Sequence, residues 1–315
     1  MPRILLVKTS SLGDIVHNLP VASDIARAFP GAEIDWVVEE SMAKLPALHV
    51  SVSRAIPVAI RRWRRGIFKA NTWREIGDFS ETLRASRYDA VIDTQGLLKS
   101  ALIARAARGR RYGFSWRASR EPLSAFYDRT FDVPWTIHAV ERNRMLAAHA
   151  LGYEQPATIE FGLRTDPALQ PSIAGDYATL LHATSARRKL WPEERWIELG
   201  RVMLERGVRS VLPWGSEAER LRSRRLAEQI DGAIVPGRMR IEELAALLAR
   251  AHCAVGVDTG LTHLAGALRV PTVGIYVATD TASTGLRCER AVNLGGRRAM
   301  PEVREVLEAL RTLGA

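Results

Sequence analysis

Two stretches of the chain carry side chains suited to holding a phosphate or diphosphate, and a third suits a ribose. In Val255-Gly256-Val257-Asp258-Thr259-Gly260-Leu261-Thr262-His263-Leu264-Ala265-Gly266 an apolar run turns through Asp-Thr-Gly into a run of small residues. This reads as a buried strand, a tight turn and a helix N-terminus. The unpaired amides and partial positive charge of such a terminus suit a phosphate. Gly260 lets the backbone come close to the anion, and Thr259 and Thr262 add hydroxyls. His182-Ala183-Thr184-Ser185-Ala186-Arg187-Arg188-Lys189-Leu190-Trp191-Pro192 puts hydroxyls and three cations after another strand, with Lys189 as a point charge for a phosphate oxygen. Pro213-Trp214-Gly215-Ser216-Glu217 follows a third strand, where Glu217 suits the hydroxyls of a ribose. Each feature has a plainer reading: Asp258 and Thr259 as helix caps, Lys189 as a surface lysine, Glu217 as an acid in a helix's first turn.

The elements that must position these residues follow an α/β rhythm. Strands are predicted at Arg3–Val7, Glu33–Val38 and Ala90–Asp93. After the first come Lys8-Thr9-Ser10-Ser11-Leu12-Gly13-Asp14 and a helix carrying Ile15, Leu19, Ile25 and Ala26; after the third comes the polar turn Thr94-Gln95-Gly96 and another helix. The opening lacks the three glycines of a dinucleotide site and the Gly-Lys-Ser/Thr ending of a P-loop, which weakens redox and NTPase readings. A helix over 138–151 ends at Gly152. Tyr153 to Gly175, with three prolines and two glycines, reads as the interdomain linker. A second set follows, with strands near 178–182, 210–212, 253–257 and 272–276 and helices over 192–205, 216–230, 241–251 and from Pro301 to Leu310. Repeated strand–turn–helix units argue for parallel sheets, and two doubly wound sheets facing one another across a cleft are the simplest architecture.

At 315 residues the chain exceeds one ordinary core, and its 47% hydrophobic and 25% charged residues are those of a soluble globular protein. No apolar run approaches a membrane span or a signal peptide, so the expected location is cytoplasmic. Cys253 and Cys288 are too few for a disulfide framework and belong to no metal-type cluster; both are expected as free thiols, Cys253 buried. A formal charge of +10 calls for an anionic partner. Its densest parts are Arg61-Arg62-Trp63-Arg64-Arg65-Gly66-Ile67-Phe68-Lys69 and the later Arg108, Arg110, Arg111, Arg117 and Arg120 among Tyr112, Phe114 and Trp116. Arginine beside aromatic residues suits a phosphorylated amphiphile at a membrane surface at least as well as RNA.

Four stretches in order, Val7 to His17, His182 to Pro192, Pro213 to Glu217 and Val257 to His263, resemble the lipopolysaccharide heptosyltransferases, nearest to those that add the first heptose to Kdo on lipid A. The resemblance implies a GT-B fold, with an acceptor domain over 1–165 joined by a C-terminal helix over 299–315, and a donor domain over 166–298. It implies inverting transfer of L-glycero-D-manno-heptose from ADP-heptose to the Kdo of Kdo2-lipid A, by a monomer associated peripherally with the cytoplasmic face of the anionic inner membrane. Position by position, Asp14 is implied as the general base and Lys189 with Thr259-Gly260-Leu261 as binders of the diphosphate. Asp258 falls near the sugar, Glu217 and Met239 around ribose and adenine, and His263 at the family's motif histidine. Thr184 and Ser185 complete the expected donor set; Ser10, Ser11, Gly13, Gln95, Arg61, Arg62, Arg64, Arg65 and Arg120 form the expected acceptor set. Ala186-Arg187-Arg188 is more basic than the family pattern, leaving open which cation meets the diphosphate.

This chemistry is coherent in itself: a hydroxyl attacking an anomeric carbon needs a base for its proton and positive charge for the departing diphosphate. No Asp-x-Asp pair is present to carry a divalent ion, so neither metal nor cofactor is expected, and lysine with helix-terminal amides must supply the charge. A heptosyltransferase II acting on an acceptor that already carries heptose would share the donor motifs. A sugar-nucleotide epimerase on the same fold would not need the basic segments, and a nucleic-acid-binding protein would not need the phosphate loops.

Overall fold

The strand over Arg3–Val7 (β1) has Ile4, Leu5, Leu6 and Val7 fully buried, the continuous apolar run expected of a parallel strand covered on both faces. The computed structural model describes residues 1–169, 171–297 and 299–315. Gln170, inside the expected linker, and Arg298, the expected end of the second domain, lie outside the described residues. The chain divides into two units, Met1–Gly162 and Leu163–Ala315.

In the first unit β1 is joined by β2 (Glu33–Glu39), β3 (Arg54–Val58), β4 (Arg87–Asp93), β5 (Arg108–Phe114) and β6 (Arg129–Phe131). All pair in parallel in the order β3-β2-β1-β4-β5-β6. The order reverses between β1 and β4, and in such sheets the crevice beyond the strands' carboxyl ends at the reversal receives ligands. The segments leaving there are Lys8–Asp14 and Thr94–Lys99. The expected first helix is two, Leu12–Val16 and Leu19–Ala28, because Asn18 and Pro20 interrupt the ladder. The helix over Ala139–Leu151 ends as predicted at Gly152, whose φ of +75° suits a left-handed cap. Arg144 holds it to the helix over Leu19–Ala28 through a buried pair with Asp24 (2.7 Å).

The second unit contains β7 (Tyr177–Leu181), β8 (Arg209–Val211), β9 (Cys253–Val257), β10 (Thr272–Tyr276) and β11 (Ala291–Gly295), all parallel in the order β11-β10-β9-β7-β8. Here the reversal lies between β7 and β9, so His182–Lys189 and Asp258–Gly260 leave the sheet side by side. Cys253 is buried in this core, and both cysteines are free.

The division falls at Gly162 and Leu163, within the proline-rich segment but before residue 166. The final helix, Val303–Thr312, belongs with the second unit: Val303, Val306, Ala309 and Leu310 form its apolar stripe and are buried in that unit's core. Its entry is fixed there by Trp191 Nε1 and Arg195 Nη1, which donate to the Pro301 carbonyl at 2.9 and 2.8 Å. Among the described residues no helix is long and apolar enough to cross a membrane.

Candidate active site

At the reversal point of the second sheet four side chains converge on Asp258. Lys189 Nζ donates to its Oδ2 at 2.6 Å, Thr279 Oγ1 donates to the same oxygen at 2.5 Å, and His263 Nε2 lies 3.8 Å from Oδ1. Thr184 Oγ1 donates to the Asp258 carbonyl at 2.9 Å, tying the loop after β7 to the loop after β9. Burial by itself would push the Asp258 carboxyl up; hydrogen bonds from His263, Lys189 and Thr279, with the Lys189 charge, outweigh it and hold the carboxyl well below the usual carboxylate range. The result is a permanently charged carboxylate that fixes the ammonium of Lys189 beside the first turn of the helix over Gly260–Ala267. The amides of Gly260 and Leu261 in that turn have no intrahelical acceptor. A lysine with two further donors and a helix N-terminus together make a site for a diphosphate.

The sequence dictates this geometry at two small residues. A Cβ on Gly256 would stand 2.0 Å from Thr262 Oγ1 and 2.9 Å from Leu181 Cβ, so only glycine lets the helix sit this close to β9. Thr262 differs from the sequence expectation: it is fully buried, and its hydroxyl donates to the Val257 carbonyl at 2.7 Å, which makes it a tie between helix and strand rather than a ligand donor. Ser185, Arg187 and Arg188 are exposed, and it is Lys189 that is brought to Asp258. Glu217 is an exposed first-turn residue paired with Arg220, while Glu219 closes the capping box by accepting from Gly215 N and Ser216 N at 2.7 and 3.1 Å. Met239 is half-buried in the loop before the helix over Ile241–Ala249.

At the reversal point of the first sheet the expected residues are also brought together. Gln95 Oε1 accepts from Thr9 N at 3.0 Å and Ser10 N at 3.2 Å. Gln95 is itself set by Asp93, whose Oδ1 accepts from Gln95 N and Gly96 N, Gly96 taking a φ of +65°. Asp14 lies three residues after Ser11, whose backbone N and Oγ both donate to Asp14 Oδ2 at 2.8 Å. Asp14 is therefore the third residue of its helix rather than its cap, and Ser11 is the cap. Gly13 is half-buried in the same turn.

Two lysines that the motifs did not single out complete this region. Lys99 Nζ donates to Ser10 Oγ at 2.9 Å. Burial pushes its ammonium down, and Glu39, Arg61, Asp14 and Arg64 are the charges around it, which places Arg61 and Arg64 in its field. Lys8 is buried and donates to the Thr94 carbonyl at 2.8 Å; burial pushes it down, Asp14 and Asp93 draw it up, and Arg142 and Arg120 press it down again. Lys8 was visible as a polar residue just past β1, and Thr279 lies three residues past β10, whereas Lys99 is the second residue of the helix over Leu98–Ala106. The basic segment is not uniform. Arg62 is engaged by Glu40 at 3.1 Å and Glu75 at 2.5 Å, whereas Arg61, Arg64 and Arg65 stand exposed. The Arg120 guanidinium lies over the Trp135 ring at 5.6 Å. Among the described residues no group of three or more His, Cys, Asp or Glu side chains is placed to hold a metal ion.

Comparison with known proteins gives this arrangement a family. A model described as glycosyltransferase family 9 (heptosyltransferase) matches residues 76–310. Lipopolysaccharide heptosyltransferase 1 of Escherichia coli K12 is 46% identical over 292 residues, covering 90% of this chain and 90% of that protein. The structure of E. coli heptosyltransferase WaaC with ADP superposes with a TM-score of 0.90 at 41% identity, covering 99% of each chain. That of WaaC with ADP-2-deoxy-2-fluoro heptose gives 0.86 at 41% identity, covering 98% of this chain and 99% of that one. The expected GT-B fold, two doubly wound Rossmann-like units, is the one observed. By the extent of the family match and the 46% identity over 90% of its length, the chain belongs to glycosyltransferase family 9, the heptosyltransferases.

Proposed function

We propose that this heptosyltransferase moves L-glycero-D-manno-heptose from ADP-heptose to the Kdo of Kdo2-lipid A, with inversion and without a metal. The observation that carries the reading is the Lys189–Asp258 pair at the second sheet's reversal point, beside a helix N-terminus. It suits the diphosphate of a nucleotide sugar, and the related WaaC has been solved with ADP and with an ADP-heptose analogue. The donor's phosphates take the remaining donors of Lys189 and the amides of Gly260 and Leu261. Thr184 and Ser185 lie at the edge of this site, Glu217 and Met239 toward the nucleoside, and Asp258 with His263 toward the sugar.

Asp14 is the general base of this proposal. Its Oδ2 is occupied by Ser11, and among the described residues Oδ1 is left for the acceptor hydroxyl. As Asp14 takes the proton, the hydroxyl oxygen bonds to the anomeric carbon from the face opposite the diphosphate. The bond from that carbon to the phosphate oxygen breaks, and the charge arriving on ADP is met by Lys189 and the helix amides. Ser10, Ser11, Gly13 and Gln95 shape the acceptor side, and Arg61, Arg64, Arg65 and Arg120 meet its carboxylates and phosphates. The enzyme works as a monomer resting on the cytoplasmic face of the inner membrane, which its basic charge favours.

The test is release of ADP from ADP-heptose with three acceptors: none, Kdo2-lipid A, and Kdo2-lipid A already carrying one heptose. Release that depends on the second acceptor supports the proposal. Release that depends on the third alone assigns a heptosyltransferase II, and release without any acceptor removes the transfer step.

A further inference from the structure

The turn that follows the basic helix over Ile60–Arg65 projects apolar side chains that the transfer reaction does not use. Phe68 is 101% exposed, Trp73 59% and Ile67 39%. Exposed single residues are ordinary, but these three belong to one small built unit. Lys69 N donates to the Gly66 carbonyl at 2.9 Å, Thr72 Oγ1 donates to the same carbonyl at 2.7 Å, and Trp73 Nε1 donates to the Ile67 carbonyl at 2.8 Å. The tip is thus closed on itself by its own hydrogen bonds, with the indole fixed beside it and the phenyl ring standing clear. The exposed Trp116, by contrast, has the Arg117 guanidinium over its ring at 5.2 Å.

The charge around this tip identifies its occupant. From residue 60 to residue 74 the chain holds Arg61, Arg62, Arg64, Arg65, Lys69 and Arg74 and no acidic residue. Among the described residues Arg62 alone of these is in an ion pair, with Glu40 and Glu75 outside the apolar tip. Aromatic side chains ringed by uncompensated cations match the boundary between anionic headgroups and acyl chains. We propose that Ile67, Phe68 and Trp73 form a wedge that enters an anionic lipid bilayer, with Arg64, Arg65 and Lys69 on the headgroups. This rests on the reading that the acceptor is a membrane lipid and adds the element that reaches into the bilayer. The wedge also places Arg61 and Arg64, whose charges act on Lys99, at headgroup level.

The experiment uses the full chain and vesicles of phosphatidylglycerol and phosphatidylethanolamine, with brominated acyl chains in a second set. The wild-type chain should sediment with the vesicles and show tryptophan quenching by brominated lipid. Phe68→Ser should lower vesicle affinity about tenfold, the scale expected from removing one aromatic ring from an interface. Trp73→Phe should keep the affinity and lose most of the quenching. Leu221→Ser, an exposed apolar position of the second unit, should change neither. Equal vesicle affinity for Phe68→Ser and wild type, or quenching that persists in Trp73→Phe, overturns the wedge. Transfer to a Kdo acceptor without acyl chains is assayed beside it. A chain that transfers heptose but does not bind vesicles loses the wedge alone; a chain that binds vesicles and transfers nothing loses the acceptor reading while the wedge stands.

Discussion

The two sheets reverse their strand order in the same way and place an aspartate beyond the reversal in each, yet the two carboxylates are treated in opposite ways. Asp258 receives Lys189 and Thr279 on one oxygen and has His263 near the other. Asp14 receives two neutral donors from Ser11 on one oxygen. A carboxylate locked to a cation cannot accept a proton in mid-range pH, whereas one held only by a backbone amide and a hydroxyl keeps an oxygen for another partner. The topology therefore supplies the place, and the partners brought to it, Lys189, Thr279 and His263 at Asp258 and Ser11 at Asp14, set the charge state each carboxylate is held in.

The sharpest way to break that contrast is to remove the charge from each aspartate in turn. Asp14→Asn keeps an oxygen for Ser11, so melting temperature and ADP affinity should hold while turnover falls roughly a hundredfold to ten-thousandfold, the scale of a lost general base. Asp258→Asn should do the reverse in part: it strands Lys189, lowers the melting temperature and weakens ADP, with a smaller loss of turnover of about tenfold. Calorimetry, thermal melts and ADP release measured on both variants decide the matter. An Asp14→Asn enzyme with near-normal turnover returns Asp14 to a purely structural role in its helix turn.

Lys189→Ala tests the anion side alone. Losing a charge-assisted phosphate contact should cost about 1.5 to 3 kcal/mol of ADP binding. Unchanged ADP affinity would move the contact to Arg187 or Arg188, which stand exposed in the same turn.

Acid should act on both units alike, through buried histidines rather than through the site. Burial pushes His49 of the first unit down to about 4; burial and then the charge of Arg222 bring His182 of the second to about 4 as well. Each stays neutral in the fold while the unfolded chain takes up a proton below its ordinary value near 6.5. Stability is thus fully present above that pH and lost as pH falls toward 4, by about 2 kcal/mol for each histidine at pH 5. Urea unfolding at pH 7 and pH 5 should show this loss, and His182→Gln should remove about half of it; equal stability at the two values would contradict the assignment.

The strands that lie at the centre of each sheet were legible because both of their faces are buried. Arg3–Val7, Cys253–Val257 and Thr272–Tyr276 have the predicted limits. The strands that escaped lie at or beside sheet edges and carry other signals: Pro57 interrupts β3, and β5 reads Arg-Gly-Arg-Arg-Tyr-Gly-Phe, a charge run whose arginines reach solvent while Tyr112 and Phe114 turn inward. The helix over Ile60–Arg65 was hidden in the same way, its cations masking a single turn and a half of helix. For the candidate site, motifs singled out Asp14, Lys189 and Asp258, but not Thr279 or Lys99. Their roles come from partners 21 and 89 residues away, which no local pattern encodes.

The smallest expected effect separates neighbours within the basic helix. Arg61 and Arg62 are adjacent in sequence, but Arg62 is held by Glu40 and Glu75, while Arg61 contributes its charge at Lys99 and donates its backbone N to Glu39 Oε1 at 3.1 Å. If the charges around Lys99 and Asp14 hold the acceptor's carboxylate, Arg61→Ser should raise the acceptor KM about threefold to tenfold with kcat and ADP affinity kept, because an exposed ion pair contributes modestly. Arg62→Ser should leave that KM within about twofold, since its guanidinium already has two carboxylates to satisfy it. Steady-state kinetics against Kdo2-lipid A in detergent, where membrane attraction is absent, measure the two side by side. Equal effects at the two positions would mean that the segment acts only as a diffuse positive field, and that the pairing of Arg62 has no bearing on which arginines meet the acceptor.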